Sequence, residues 1–239
     1  MKHCIYITLL LICFSIKAQT NVVQKVPEVD SIFSAKLTGE FFYENKNYIG
    51  EQFFNKDWDE GNILLSTGEM IYGKYLKYNG LLDELIWLNT SNFGQFKLDK
   101  SYINEFWFKN LPESDLHFKR INVDDTSSIH IRDIFVQVKA EGKISLYIQR
   151  KISIIESVDV TKNNADYRYQ KLETKPGYYI KLPSNQYFVL TKVRRIAFIR
   201  LFPEKKKSIN KIIRENHLNI RKEDDFTKLI ELMNEKAMF

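Results

Sequence analysis

The sequence predicts an α+β protein that is mainly β, with one or more antiparallel meander sheets followed by a C-terminal helical subdomain of two to three helices. Three observations predict it. Between residues 61 and 108 turn signals recur at short, even intervals: Thr67-Gly68, Asn79-Gly80, residues 89–92 and residues 99–101. Within the strand block of residues 116–190, Ile144 to Ile154 and Tyr178 to Leu182 carry apolar residues at every other position, the period of a strand with one buried face. Beyond residue 203 the apolar spacing changes to three and four, the period of an amphipathic helix.

The chain opens with Met1, Lys2 and His3, runs through apolar residues 5–16 and reaches the small residue Ala18 before Gln19. That layout predicts a cleavable secretory signal over residues 1–18. The apolar run is too short for a helix that crosses a bilayer, which needs about 20 residues. Cys13 follows Ile12, where a bacterial lipobox wants a small residue, so a lipid anchor is not the favoured reading. Cys4 and Cys13 are the only cysteines. Removal of the signal therefore leaves no disulfide, no nucleophilic thiolate and no thiolate metal ligand.

Residues 19–36 are polar, contain Pro27 and read as a tether. With 44% hydrophobic and 14% aromatic residues, the rest of the chain has ample material for a packed core. No second apolar stretch approaches 18 residues, so no transmembrane segment is expected in the mature chain.

A β-rich domain is predicted over residues 37–190. Residues 41–54, FFYENKNYIGEQFF, hold one or two short strands, and the first secure strand is placed at 62–65. The meander over 61–108 follows, with strands in EMIYGKYLKY, ELIWL, FGQFKL and YINEFWF. Asn79-Gly80 is read as a two-residue hairpin turn, because both residue types accept the positive φ it requires. A second strand block spans 116–190. There residues 127–138 and 143–155 read as one long hairpin about Glu141-Gly142. Ile144, Leu146, Ile148, Ile152 and Ile154 share a face in its second arm, a pattern broken only by Arg150. Tyr178, Ile180 and Leu182 continue the alternation up to a turn at 183–185 and a last strand, QYFVL.

Residues 191–239 form the basic helical subdomain. Residues 191–202 accept either element: Val193, Ile196, Ala197 and Leu201 fit a helix face, while Ile196, Phe198 and Phe202 fit a strand. Helix is favoured because Pro203 then suits the first turn of the next one. Ile209, Ile212 and Ile213 mark that helix, and Phe226, Leu229, Ile230 and Met233 the last, with Asp224 and Asp225 at its positive end.

Residues 48–88 together with the tail KKKSINKIIRENHLNIRKEDDFTKLIELMNEK resemble a group of uncharacterised exported proteins of Bacteroidetes-type bacteria. The matching positions are Trp58, Gly61, Gly68, Tyr78, Asn79, Asp83 and Leu85, then Leu218, Leu229 and Ile230. The resemblance implies an exported protein with a strand block and a Lys-rich helical tail. It carries over no catalytic residue.

Chemistry is sparse in the sequence. GEMIYGKY, residues 68–75, approaches a phosphate loop, but Tyr75 stands where a Ser or Thr must hold magnesium, and a strand rather than a helix follows. No nucleotide site is expected, and no cofactor or metal. His117, His130 and His217 lack ligand spacing; His130 and Asp133 point to opposite faces of a strand. Carboxylates gather at Asp57, Asp59 and Glu60, at Asp83 and Glu84, and at Asp124 and Asp125, each beside a turn where Asp caps backbone amides.

Charge is the feature with partner implications. Residues 191–222 carry 11 lysines and arginines against Glu204 and Glu215, although the whole chain has a net charge of only +6. The candidate anionic-partner surface comprises Arg194, Arg195, Lys205, Lys206, Lys207, Lys211 and Arg214, with Arg200, Arg221 and Lys222 in the same run. Trp87 and Trp107 are the candidate aromatic surface of a glycan platform.

The expected protein is an exported, non-catalytic envelope component, periplasmic, envelope-associated or extracellular. Its expected contact is a partner protein, an anionic lipid or a glycan surface; nucleic acid does not suit the compartment. The rival expectation is a hydrolase of envelope polysaccharide using paired carboxylates such as Asp57 or Asp124.

Overall fold

The computed structural model describes residues 37–45, 47–109, 115–124, 131–162, 165–190 and 192–237. Among the described residues fourteen strands and three α-helices follow one another in chain order. The strands are β1 (Gly39–Phe41), β2 (Tyr48–Ile49), β3 (Asp59–Leu65), β4 (Met70–Asn79), β5 (Glu84–Asn89), β6 (Gly94–Leu98), β7 (Ile103–Phe108), β8 (Leu116–Asp124), β9 (Ile131–Ala140), β10 (Ser145–Gln149), β11 (Ile152–Lys162), β12 (Ala165–Thr174), β13 (Gly177–Lys181) and β14 (Tyr187–Leu190). The helices are α1 (Arg195–Arg200), α2 (Lys206–Glu215) and α3 (Glu223–Glu235).

Eleven strands form one antiparallel sheet in the order β1-β6-β5-β4-β3-β7-β8-β9-β10-β13-β14. β3 to β6 are the expected meander. β7 departs from it: it crosses back and pairs with β3, so the run of hairpins ends at β6. Sheet curvature makes this crossing short. In a flat sheet β4 and β9, four strand spacings apart, would be separated by about 19 Å. Here the rings of Tyr78 on β4 and Phe135 on β9 are 6.4 Å apart. The inward side chains of β3 to β9 consequently fill one aromatic core, with Phe106, Phe108, Phe118 and Phe135 packed around Tyr78.

A polar latch closes the curl. Asp83, in the turn between β4 and β5, accepts from the Tyr78 hydroxyl at 2.6 Å and from the Phe135 backbone N–H at 3.2 and 3.3 Å. Lys100 pairs with the same carboxylate at 2.6 Å. Burial raises the Asp83 pKa, and the Lys100 charge and these hydrogen bonds pull against that rise. Tyr78, Asn79 and Asp83, three of the positions that carry the resemblance, thus belong to one structural device.

That turn corrects the reading of Asn79-Gly80. The connection holds four residues, 80–83; Asn79 Oδ1 caps the Leu81 and Leu82 amides at 3.0 and 3.1 Å, and the positive φ belongs to Asp83, at 57°. Gly80 serves close approach instead, since a Cβ there would collide with the Arg150 carbonyl oxygen. Gly68 and Gly73 do take positive φ, 86° and 64°. Gly68 closes the β3–β4 turn, and Gly73 lies in a bulge where the β3–β4 register shifts and Asn62 Oδ1 accepts its N–H.

The predicted long arm over 143–155 is two strands in two sheets. β10 stays in the large sheet, the chain breaks at Arg150 and Lys151, and β11 leaves with β12 as a hairpin to which, among the described residues, β2 adds a third, parallel strand. Ile144 and Leu146 are buried as expected, whereas Ile154 is exposed. Arg150 explains the break. Its guanidinium holds Glu223 at 2.8 and 2.5 Å and Gln137 at 2.7 Å, which ties the sheet to the start of α3.

The helices cover β9, β10, β13 and β14 on the face that continues the aromatic core. Leu146 and Ile180 from strands and Ile144 from the bend before β10 meet Phe198, Ile209, Ile212, Phe226, Leu229 and Ile230 in a single cluster. Asn234 pins the far end of α3: its amide donates to the Ile144 carbonyl at 2.8 Å and accepts from the Ile144 N–H at 3.0 Å, as a neighbouring strand would. The fold class is as the sequence predicts, mainly β with C-terminal helices, and sheet and helices share a core.

Candidate functional site: an arginine groove on the helical face

The period of α2 places Ile209, Ile212 and Ile213 inward, which forces Lys206, Lys207, Lys211 and Arg214 outward. Pro203 opens a single 3-10 turn, Pro203–Lys205, which joins α1 to α2. α1 is helical, as favoured, but its inward residues are Phe198 and Ile199, with Phe202 just beyond. The expected face through Ile196 is therefore incorrect: Ile196 is 69% exposed. A six-residue helix has too few turns for its apolar period to be unique, and the two adjacent large side chains prevail.

Between α1, the end of α2 and the 218–221 connector lies a groove of ≈ 630 Å³. Arg194, Arg195, Arg200 and Arg221 surround it, over a floor of Ala197, Ile213 and Leu218, with Ile196 on the rim. Arg195 is fixed by Asn210, whose Oδ1 accepts from it at 2.9 and 2.6 Å. Among the described residues the side chains of Arg194, Arg200 and Arg221 have no hydrogen-bond or ion-pair partner. The connector is held by Asp225, which accepts from the Asn219 N–H at 2.9 Å.

The seven basic residues named from sequence divide. Arg194 and Arg195 line the groove; Lys206 and Arg214, four residues either side of Asn210, fall on the α2 stripe that borders it. Lys207 and Lys211 lie on the adjacent exposed stripe, Lys211 3.7 Å from Glu215. Lys205 sits in the 3-10 turn. Arg200 and Arg221 belonged to the basic run, but 20 intervening residues hide their convergence. For Ile196 the signal that exposes it is the Phe198-Ile199 pair.

The aromatic surface is not formed. Trp87 is 3% exposed and packs 5.4 Å from Phe96 within the core, because it shares the inward face of β5 with Leu85. Trp107 is on the opposite side of the sheet from Phe106 and stacks on His117 at 4.7 Å, while His117 Nε2 contacts Glu105 at 2.7 Å.

The acidic groups resolve into turns and ion pairs. Asp57 is exposed on a bend, Asp59 accepts from Asn55, and Glu60 pairs with Lys109. Asp125, His130 and the side chain of Asp124 lie outside the described residues. The acids that do converge were not singled out as a pair: Glu40 and Glu84 meet Lys97 at 3.1 and 3.5 Å, beside a rim cleft of ≈ 800 Å³. Burial raises the Glu84 pKa, offset in part by Lys97. The ammonium stands between the two carboxylates, where a glycosidic bond would have to lie. Among the described residues no group of three or more His, Cys, Asp or Glu is placed to hold a metal ion.

A mainly-β sheet carrying docked helices with a basic groove defines the class as far as fold and geometry go. Comparison with protein-family models, with curated proteins and with solved structures found no match. Among the described residues no helix is long and apolar enough to cross a membrane.

Proposed function

We propose that this is an exported, non-catalytic component of the cell envelope that holds an anionic partner on its helical face. The observation that carries the reading is the set of three arginines, Arg194, Arg200 and Arg221, which among the described residues have no partner and surround one groove. Like charges gathered at a surface repel one another, and an anion that enters relieves that repulsion. Export is supported by the layout of residues 1–18, and the envelope by the likeness to exported Bacteroidetes-type proteins.

The test is association with an immobilised polyanion such as dextran sulfate, at low salt and at about 0.5 M salt, where screening shortens to a few ångströms. The wild type is expected to bind at low salt and elute at high salt. Charge reversal of Arg194, Arg200 and Arg221, the residues that surround the groove, is expected to weaken retention. Retention unchanged by that reversal, or by salt, sinks the reading.

A further inference from the structure

We infer that the arginine groove is a headgroup site for an anionic phospholipid of a bilayer surface, with Ile196 entering the acyl region. This rests on the anionic-partner reading and names its ligand. Two properties of the groove point to a lipid rather than to a polyanion.

The first is the choice of cation. All four charges around the groove are arginines, although lysine is abundant a few residues away. A guanidinium presents a planar fork of donors that matches two phosphate oxygens at once, whereas an ammonium acts as a point charge. Arg195 is already oriented by Asn210, and the other three guanidinia are free among the described residues to close on a phosphate.

The second is the apolar material within the same site. Ile196 stands exposed between Arg195 and Arg200, and Ala197, Ile213 and Leu218 floor the groove. A sulfated glycan or another polyanion gains nothing from a β-branched side chain at the rim. A glycerolipid offers a phosphate to the arginines and the top of an acyl chain to the isoleucine, the division of labour that interfacial protein segments use. Long arginine side chains allow both at once, because their stems lie along apolar surface while the head stays with the phosphate.

Charge distribution orients the approach. The basic stripe of α2 beside the groove, Lys206 and Arg214, adds to the field at the membrane. The rest of the mature chain, with the signal removed, carries a net negative charge and is repelled by it. The helical face therefore turns toward an anionic bilayer, and Ile196 is an exposed apolar side chain on that face.

The test uses the mature chain with vesicles of phosphatidylcholine alone and of phosphatidylcholine with phosphatidylglycerol, read by co-sedimentation. Binding is expected only with phosphatidylglycerol. Replacing Arg194, Arg200 and Arg221 together by Gln is expected to weaken it about 100-fold, roughly fivefold for each charge. Ile196→Ser is expected to weaken vesicle binding severalfold while retention on dextran sulfate stays as in the wild type. Ile196→Trp supplies a second readout, a blue shift of its emission on adding the anionic vesicles. All substitutions are at exposed positions, and unchanged circular dichroism confirms folding. Vesicle binding that is indifferent to Ile196→Ser, or an Ile196→Trp emission that stays unshifted, overturns the lipid assignment. Binding to dextran sulfate without binding to phosphatidylglycerol vesicles also overturns it and leaves the anionic-partner reading standing; binding to neither removes both.

Discussion

Gly80 and Gly68 both lie in hairpin turns of the large sheet, yet glycine is required for different reasons. At Gly68 the backbone is left-handed, φ 86°, and among the described residues no atom lies within 4 Å of where a Cβ would stand. Gly68→Ala therefore carries only the local cost of that conformation, about 1 kcal/mol. At Gly80 a Cβ would run into the Arg150 carbonyl oxygen and the Ile152 side chain, and Ile152 N–H donates to the Gly80 carbonyl at 2.9 Å. Gly80→Ala must push two chain segments apart, which costs roughly 1–3 kcal/mol or more. Urea denaturation of the two variants checks the order; equal midpoints would show that the close approach is not maintained. Asn234 is a further single-residue test. Asn234→Leu removes both hydrogen bonds to Ile144 and leaves a partly buried N–H and C=O without partners, an expected loss of about 2–4 kcal/mol in the same measurement. Sequence shows an Asn-Gly turn and a polar residue near the end of a helix. It does not show Arg150 or Ile144 as their partners, because those contacts join residues far apart in the chain.

α3 is held at both ends, and its first turn makes the molecule sensitive to acid. Burial pushes the Glu223 carboxyl up, but the hydrogen bonds and charge of Arg150, with Lys139 at 3.2 Å, outweigh this and hold its pKa below the usual value. A depressed carboxylate contributes stability that is present above its unfolded pKa, about 4.3, and is lost as pH falls through the folded value. Glu223→Gln is expected to lower stability at neutral pH by roughly 1–3 kcal/mol, since it leaves Arg150 half buried without its counter-ion. It is also expected to flatten the decline on the acid side. Thermal melts from pH 7 to about pH 3 would show this; a variant curve parallel to wild type throughout would mean that the pair does not titrate with folding. At this scale the sequence is unevenly legible. α2 and α3 are readable because each spans enough turns for one apolar stripe to recur, and β3 to β6 because turn residues punctuate them. β7 could be placed as a strand but not beside β3, since sheet curl is a property of the assembled aromatic core. β11 and β12 escaped as a separate hairpin because Ile144 to Ile154 alternate through the break. No Gly or Pro marks that break; Glu223 and Gly80 create it from a distance.

The whole molecule divides energetically into a shared core and an appended ribbon. β11 and β12 insert between β10 and β13, and among their described side chains only Ile152, at the base, is buried. The outer part is held by exposed pairs, Asp159 with Arg168 and Glu156 with Lys171, which solvent and salt screen. The helices stand in the opposite position. Phe198, Ile209, Phe226 and Leu229 cover Ile144, Leu146 and Ile180, so their removal would expose the apolar face of four strands to water. Sequence composition separates a β-rich region from a basic helical one at about residue 190, but a shift in composition is no measure of an interface. Two excisions follow from this difference. Replacing residues 159–168 by Asn-Gly joins the facing residues Val158 and Tyr169 through a two-residue turn and leaves the β2 pairing at Gln170 and Lys171 in place. The shortened protein is expected to melt cooperatively close to the wild-type temperature. Truncation after residue 205 is expected to give an insoluble or molten chain, because the strands lose α2 and α3 together. A soluble, cooperatively folded truncation would mean that the sheet closes its own core, and a ribbon excision that collapses the melt would mean that the hairpin supports the fold it grows from.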